Sequence, residues 1–329
     1  GTAIAKVRTV TSFCGVLTGN ISSGTDLNPP SAAGRRRVNH QGGPVFRCRQ
    51  DQLGYYTRRR LNGDRTMLEL YNFPQSTCSQ KVRICLAEKG LEWVDHRMIS
   101  AKHDHLKADY LKLNPNGVVP TLIHDGVPII ESSVILQYLD DAFPEVRLAP
   151  EDLKEKAKMR AWLTYFDLVA TPAVRYPSFN FGGLIQKFQK MTDEEFNDLA
   201  KQRPTKSEQY RKMGRSGFSD DEIARAVGDI RKTVLRMENA LGDPGPWLMG
   251  TQYTLADICV APLLDRMEDL GYAALWDEDL PKVTEWLARI QARPAYKQTY
   301  YPGTRNSEIY PDLHLGRGSR RPLDLSQFA

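Results

Sequence analysis

The chain has 329 residues, of which 41% are hydrophobic and 26% charged, the balance of a globular protein with room for two domains. No stretch reaches the roughly 18 consecutive apolar residues of a membrane-spanning helix, so we expect no membrane partner. The five cysteines are odd in number and scattered, which excludes a disulfide scaffold and predicts a reducing, cytoplasmic location.

The net charge of +5 is concentrated at the start of the chain. Residues 1–66 contain 11 Lys and Arg against 3 Asp and Glu, whereas the remainder contains 34 against 37. Residues 1–66 show neither strand nor helix periodicity, so we expect a disordered basic extension outside the fold. Translated upstream sequence, an organelle transit peptide and a nucleic-acid-binding arm all fit this composition. Because the rest of the chain is mildly acidic, we do not expect nucleic acid as a partner.

Regular patterning begins at Met67 and follows the order β-α-β-α-β-β-α. Asp125-Gly126 lies between two apolar runs and predicts a hairpin with a type I′ turn. This order is the thioredoxin-like arrangement, and it predicts an α/β domain over residues 67–147. The predicted elements are strand 68–71, a helix between Ser76 and Gly90, strand 93–98, helix 106–113, strands 119–124 and 127–130, and helix 132–143.

The second half of the chain is predicted to be entirely helical. We expect an all-α domain over residues 151–301 and an irregular tail over 302–329. Thr254 to Asp257 forms a capping box that begins a buried helix. The charged amphipathic stretch 190–240 is interpreted as solvated helical faces.

Four local patterns, in this order, resemble those of the cytosolic glutathione transferases over about residues 67–300. The resemblance implies a thioredoxin-like N-terminal domain followed by an all-α domain, glutathione as cosubstrate, a small hydrophobic electrophile and a homodimer. The patterns are Ser76-Thr77-Cys78-Ser79 at the first helix start, Val119-Pro120 at the third strand, Glu131-Ser132 before the third helix, and the capping box at Thr254.

Two finer resemblances point to different members of that family. The Ser-x-Cys-Ser helix start is similar to that of the zeta-type serine transferases. Residues 190–196 and 214–218 are similar to the insert of bacterial glutathione-dependent β-aryl-etherases, which cleave lignin-derived aryl ethers. Compact zeta-type chains lack this insert, which favours the etherase-like interpretation.

Ser76, Thr77 and Cys78 are the candidate catalytic residues at the first helix start. The unpaired N–H groups and the dipole of a helix N-terminus favour an anion, and a serine hydroxyl can donate to a thiolate. Ser76 could instead be only an N-cap. Cys78 could be a reactive thiol or a small buried residue. Serine at both Ser76 and Ser79 excludes the dithiol Cys-x-x-Cys arrangement from this helix start.

The resemblance also implies a set of glutathione-binding residues. A cis proline at Pro120 would expose the backbone of Val119, so that glutathione pairs with it like an added strand. Glu131 would pair with the ammonium group of glutathione, and Ser132 would hold the γ-glutamyl carboxylate at a helix N-terminus. Asn116, in the preceding loop, completes the set. An ordinary trans proline and a simple helix cap are the structural alternatives.

The electrophile pocket is expected in an aromatic stretch around Pro172 and Pro177, where the helix is predicted to be interrupted. These aromatic side chains could line an apolar groove or pack in the core. No Cys and His residues have metal-ligand spacing, so no metal is expected. The candidate pocket residues are Tyr165, Phe166, Tyr176 and Phe179.

The patterns together predict a glutathione transferase that activates the glutathione thiol for attack on an electrophilic, aromatic substrate. Cleavage of a β-aryl ether and zeta-type isomerisation of a maleyl compound are the two candidate reactions. A non-catalytic glutathione- or ligand-binding protein of the same fold and an enzyme acting through Cys78 are the alternatives.

Overall fold

The computed structural model describes residues 67–181 and 184–310. The expectations for residues 1–66 and 311–329 lie outside the described residues. None of the helices within the described ranges combines the length and the hydropathy that crossing a bilayer requires.

The first half of the fold is built on four short strands, β1 (Leu68–Asn72), β2 (Val94–Arg97), β3 (Thr121–His124) and β4 (Val127–Ile130). The sheet order is β2-β1-β3-β4, with β1 parallel to β2 and β3 antiparallel to both β1 and β4. At the hairpin, Asp125 and Gly126 have φ of 50° and 85°. A type I′ turn requires positive φ at both central positions, as predicted.

Three helices belong to this half, α1 (Thr77–Glu88), α2 (Ala108–Leu113) and α3 (Ser132–Ala142). Helix α1 lies against α3, and residues 79–86 of α1 are all buried. This burial includes the charged side chains of Lys81 and Arg83, which the apolar periodicity of α1 did not predict. Helix α1 is therefore a central element of the fold rather than a surface helix.

The second half is helical, as predicted, and the whole arrangement is the thioredoxin-like domain followed by an all-α domain that the sequence indicates. Helices α7 and α9 begin with capping boxes, at Thr192 and Ser219. The helices are α4 (Leu153–Tyr165), α5 (Thr171–Phe181), α6 (Leu184–Gln189), α7 (Asp193–Lys201), α8 (Ser207–Met213), α9 (Asp220–Ala240), α10 (Leu255–Asp269), α11 (Pro281–Gln291), α12 (Pro294–Thr299) and α13 (Asn306–Ile309).

The aromatic stretch around Pro172 is not interrupted, which corrects the sequence-based expectation. One π-helical segment, Phe166–Ala170, connects α4 directly to α5, and Pro177 lies inside α5. Pro172, which has no N–H group to donate, comes just after the π-helical segment, where the helical hydrogen-bonding pattern changes. Asp167, within the π-helical segment, accepts a hydrogen bond from Lys81 of α1.

The predicted capping box at Thr254 is present, and it begins the most buried helix of the second half, α10. Asp257 is fully buried and accepts hydrogen bonds from Leu248 N at 3.0 Å and from Trp286 Nε1 at 2.9 Å. Burial raises the pKa of Asp257, and these donors oppose that shift by stabilising the carboxylate.

Helix α1 is held in place by α10, α12 and the segment that follows them. Gln75 Nε2 donates to Gly303 O at 2.9 Å, and Gln80 Nε2 donates to Thr304 O at 3.1 Å. Residues 302–310, which were expected to be irregular, contain α13, and the backbone N–H of Asn306 donates to Asp269 at 2.7 Å. The described part of the tail therefore supports the start of α1.

Candidate functional site

The start of α1 is a capped helix N-terminus with its first turn half-exposed. Ser76 is the N-cap, and its Oγ accepts a hydrogen bond from Ser79 N at 3.3 Å. Ser76, Thr77 and Cys78 are half-buried, and no acidic side chain lies in the first turn of the helix. The positive end of the helix dipole is therefore free to stabilise an anion at this point.

The peptide bond between Val119 and Pro120 is cis. Two side chains hold the loop before it, because Tyr110 OH donates to Val118 O at 2.6 Å and Asn114 Nδ2 donates to the same oxygen at 2.9 Å. Burial raises the pKa of Tyr110 to about 12, so its hydroxyl remains a neutral donor. The paired part of β3 starts at Thr121, and Val119 lies just before it.

Glu131 connects β4 to α3 in an unusual backbone conformation, with φ of 66° and ψ of 110°. Such positive φ is strained for a residue with a side chain, costs about 1–3 kcal/mol and is concentrated at functional sites. The Glu131 carboxylate accepts a hydrogen bond from Asn116 Nδ2 at 3.0 Å. Ser132 begins α3 and is buried.

These features enclose one cavity of about 190 Å³ at the junction of α1, β3 and α3. It is smaller than the roughly 300–1,000 Å³ of pockets that bury a drug-sized ligand, so it matches part of such a ligand. Ser76 and Thr77 lie next to Cys78 in the chain but outside the cavity lining. The lining residues are Cys78, Asn116, Val118, Val119, Pro120, Glu131, Ser132, Arg175, Thr205 and Lys206.

Six of the predicted site residues therefore meet at this cavity. Of the two alternatives for Cys78, a reactive thiol or a small buried residue, full burial is not observed, because Cys78 is half-buried and lines the cavity. A larger depression of about 630 Å³ lies along α6 and α7, and its lining contains neither a hydroxyl nor a thiol side chain. The smaller cavity is the candidate functional site.

Four lining residues were not predicted: Val118, Arg175, Thr205 and Lys206. Thr205 and Lys206 lie in the stretch interpreted as solvated faces. Thr205 is exposed, as that interpretation expects, whereas Lys206 is half-buried and faces the cavity. Thr205 Oγ1 donates to Asn116 O at 3.2 Å and so attaches this stretch to the first half of the fold. The dipeptide lies between α7 and α8, and helical periodicity carries no information about such a connection.

The four aromatic side chains proposed for the electrophile pocket do not line this cavity. Phe166 is fully buried, Tyr165 OH is hydrogen-bonded to Thr233 Oγ1 at 3.1 Å, and the Tyr176 ring lies 4.2 Å from that of Phe218. Phe179 packs near Tyr210. Their assignment to a substrate pocket stays a prediction.

A buried lysine lies one turn beyond Cys78 in α1. Lys81 Nζ donates to Ser133 Oγ at 2.9 Å and lies 3.4 Å from Cys259 Sγ. Burial works to lower the pKa of Lys81, but Cys259, Cys78 and Asp167 oppose burial and raise the pKa above its ordinary value. Burial also raises the pKa of the Cys259 thiol, so this thiol is neutral near pH 7. Asp167 accepts a hydrogen bond from Lys81 Nζ at 3.1 Å.

Known proteins share both halves of this chain. The N-terminal domain of the glutathione S-transferases matches residues 70–147, and their C-terminal domain matches residues 220–289. Protein LigF of Sphingobium sp. is 34% identical over 245 residues, which covers 72% of this chain and 95% of that protein. The crystal structure of the β-etherase LigF from Sphingobium sp. strain SYK-6 has a TM-score of 0.65 and 33% identity, and covers 71% of this chain and 98% of that chain.

Two further relatives are similar over much of their length. Glutathione S-transferase 1 of Dianthus caryophyllus is 32% identical over 196 residues, covering 59% of this chain and 75% of that protein. Maleylacetoacetate isomerase of Pseudomonas aeruginosa is 29% identical over 239 residues, covering 71% of this chain and 95% of that protein. With both of its halves matched, and with LigF matched along almost its full length, the chain belongs to the glutathione S-transferase family.

Proposed function

We propose that this protein is a glutathione transferase that activates the glutathione thiol at the start of α1 and uses it on an electrophilic, aromatic substrate. The observation that carries the proposal is the cavity itself. It brings Cys78 at the helix start together with Val119 before the cis proline, the strained Glu131 and Ser132 at the start of α3. No metal takes part in the proposed reaction.

The cysteinyl and γ-glutamyl units of glutathione each have complementary groups in this arrangement. The backbone of Val119 would pair with the cysteinyl unit like an added strand. Ser132 and the N–H groups of α3 would hold the γ-glutamyl carboxylate, and Glu131, oriented by Asn116, would pair with the ammonium group. The thiol would then lie at the start of α1, beside Ser76.

The reaction needs only a nucleophile and a leaving group. Ser76 Oγ–H donates to the glutathione sulfur and stabilises the thiolate, and the thiol proton leaves to solvent. The sulfur lone pair forms a bond to the electrophilic carbon. For a β-aryl ether the carbon–oxygen bond breaks, and the aryl oxygen leaves as a phenolate with the electron pair.

Ether cleavage is favoured over isomerisation by similarity and by the insert. LigF is 34% identical to this chain and the maleylacetoacetate isomerase 29%. Thr205 and Lys206, within the stretch that contains the etherase-like segments, line the cavity. Isomerisation of a maleyl compound is the second candidate, and it would use glutathione catalytically.

The proposal also includes a role for each domain, an oligomeric state and a cellular location. We assign residues 67–147 to glutathione binding and residues 151–301 to the substrate. We also propose a homodimer in the cytoplasm. A non-catalytic binding protein of this fold has no use for a retained thiol-activating serine. The effect of replacing Ser76 therefore distinguishes a transferase from a binding protein.

The deciding experiment is calorimetric titration of the full chain with glutathione, with ionisation of the bound thiol followed by ultraviolet absorbance. We expect thiolate near pH 7 in the parent and thiol in Ser76→Ala. Ser219→Ala removes an equivalent N-cap from α9 and controls for the loss of about 1 kcal/mol that any such cap contributes. Failure of the parent to bind glutathione would contradict the proposal, and binding as neutral thiol in both chains would favour the binding-protein alternative.

A further inference from the structure

Two cationic side chains from the second half of the fold face the candidate site. Arg175 lies on α5 and Lys206 immediately precedes α8, and both line the cavity that contains Cys78. Both are half-buried. Within residues 67–181 and 184–310, neither side chain forms a hydrogen bond or an ion pair. Thr205, which does have a partner in Asn116, fixes the backbone beside Lys206.

The charges around Lys206 show that it shares the cavity with other ionisable groups. Burial lowers the pKa of Lys206, and the like charge of Arg175 lowers it further. Cys78 and the carboxyl group of Glu131 act in the opposite direction. Glu131 is the acidic residue of the cavity lining, and its carboxylate already accepts a hydrogen bond from Asn116.

Two neighbouring cations in a partly buried cavity are unfavourable unless an anion joins them, because each loses part of its hydration. A guanidinium and an ammonium group suit a carboxylate, which accepts charge-assisted hydrogen bonds from both. The groups proposed to hold glutathione belong to the first half of the fold, to residues 116–132 and to the start of α1. Arg175 and Lys206 come instead from the second half, the part of the fold assigned above to the electrophilic substrate.

We propose that Arg175 and Lys206 bind a carboxylate on the electrophilic substrate, so that the enzyme selects aromatic electrophiles bearing this acidic group. The inference rests on the proposed function and adds the substrate class. The carboxylate orients the electrophilic carbon toward the glutathione sulfur, while the glutathione-binding residues act on either kind of electrophile.

The test compares two glutathione conjugates that differ only in charge, S-(4-carboxybenzyl)glutathione and its neutral carboxamide analogue. Binding of each to the full chain is measured by calorimetry, so no turnover is required. We expect the parent to bind the carboxylate conjugate at least about tenfold more tightly, because a single charge-assisted hydrogen bond has an effect of this size. Arg175→Gln and Lys206→Gln should each lose this preference while binding glutathione and the carboxamide as the parent does.

Matched variants separate this effect from a general loss of charge. Arg175→Lys keeps a cation at the site and should keep the preference. Arg211→Gln and Lys190→Gln remove exposed cations elsewhere in the second half and should leave the preference unchanged. If a glutamine variant fails to fold, the salt dependence of the parent's preference for the carboxylate conjugate tests the inference instead. This preference should weaken as the ionic strength rises.

The possible contrary results are distinct. Equal affinity of the parent for the two conjugates, or a preference that survives both glutamine variants, would overturn the inference. A matching loss of affinity for glutathione itself would assign the cations to the tripeptide and would also overturn it. A parent that binds glutathione and neither conjugate would overturn the inference alone, whereas a parent that does not bind glutathione would overturn the proposed function with it.

Discussion

Lys81 Nζ lies 3.1 Å from Asp167 Oδ1, and this ion pair links α1 to the π-helical segment between α4 and α5. The two partners have very different surroundings. The Lys81 side chain is 3% exposed, whereas that of Asp167 is 41% exposed. The pair therefore places a buried positive charge one turn from Cys78 and balances it with a carboxylate that remains partly hydrated.

This asymmetry predicts unequal effects of breaking the pair from its two ends. Asp167→Asn leaves a buried ammonium unpaired and should lower the free energy of unfolding by about 3 kcal/mol. Lys81→Met leaves a carboxylate that water can reach and should cost about 1 kcal/mol. Denaturant unfolding of the two variants gives both values. Asp198→Asn, which breaks an exposed pair with Lys201, is the control and should change little. Equal losses from both ends would contradict the asymmetry.

The pH range of this contribution follows from the direction of the pKa shift. The pKa of Lys81 is raised in the folded state above its ordinary value of 10.5. Its stabilising contribution is therefore fully present below about pH 10.5 and is lost only as the pH rises through the folded pKa. We expect the difference between the parent and Lys81→Met to be constant between pH 6 and pH 9, as measured by denaturant midpoints.

Replacing Cys78 and replacing Ser76 should affect turnover differently, because the proposed mechanism assigns activation of glutathione to Ser76. If Ser76 activates glutathione, Cys78→Ala should keep glutathione-dependent turnover of an aryl ether within about threefold of the parent. Ser76→Ala should lower it by far more, with the thiol of bound glutathione no longer ionised near pH 7. Loss of turnover in Cys78→Ala, with glutathione affinity intact, would transfer the nucleophilic role to Cys78.

The sequence predicts the parts of this fold that are determined locally. The hairpin turn at Asp125-Gly126 and the capping box at Thr254 depend on neighbouring residues, and both are observed. Lys81 could not be placed, because its burial depends on Asp167, which lies 86 residues away in the chain. The same limit hid Thr205 and its neighbour Lys206, because the hydrogen bond from Thr205 to Asn116 spans about as long a separation.

We expect the folded protein to lose stability in mild acid because of the buried His105. Burial, reinforced by Arg203 and His103, lowers the pKa of His105 to about 4 from an ordinary value of 6.5. Arg203 Nη1 donates to His105 Nε2 at 2.9 Å, which requires a neutral imidazole. Between pH 6.5 and 4 the unfolded chain binds more protons, so the free energy of unfolding should fall with decreasing pH by up to about 3 kcal/mol.

His105→Gln tests this, because its amide oxygen can accept the same hydrogen bond without titrating. Its denaturant midpoint should fall less than that of the parent between pH 6.5 and 4.5. Above pH 7, where the parent imidazole is neutral in both states, the difference between the chains should be constant. Parallel pH profiles over the whole range would show that His105 is protonated in the folded protein.

The loop before α9 contains Gly217, where we expect substitution by alanine to destabilise the fold. It has φ of 89°, and a Cβ at this position would lie 2.5 Å from Asn180 Oδ1. Asn180 Oδ1 accepts from Phe218 N at 2.7 Å and its Nδ2 donates to Phe218 O at 3.0 Å, so the amide cannot move away without losing both bonds. Gly271 also has positive φ, 83°, but open space around it. We expect Gly271→Ala to cost about 1 kcal/mol from backbone strain alone and Gly217→Ala about 1–3 kcal/mol more, measured by denaturant unfolding. Equal costs would mean that the Asn180 amide does not fix the loop.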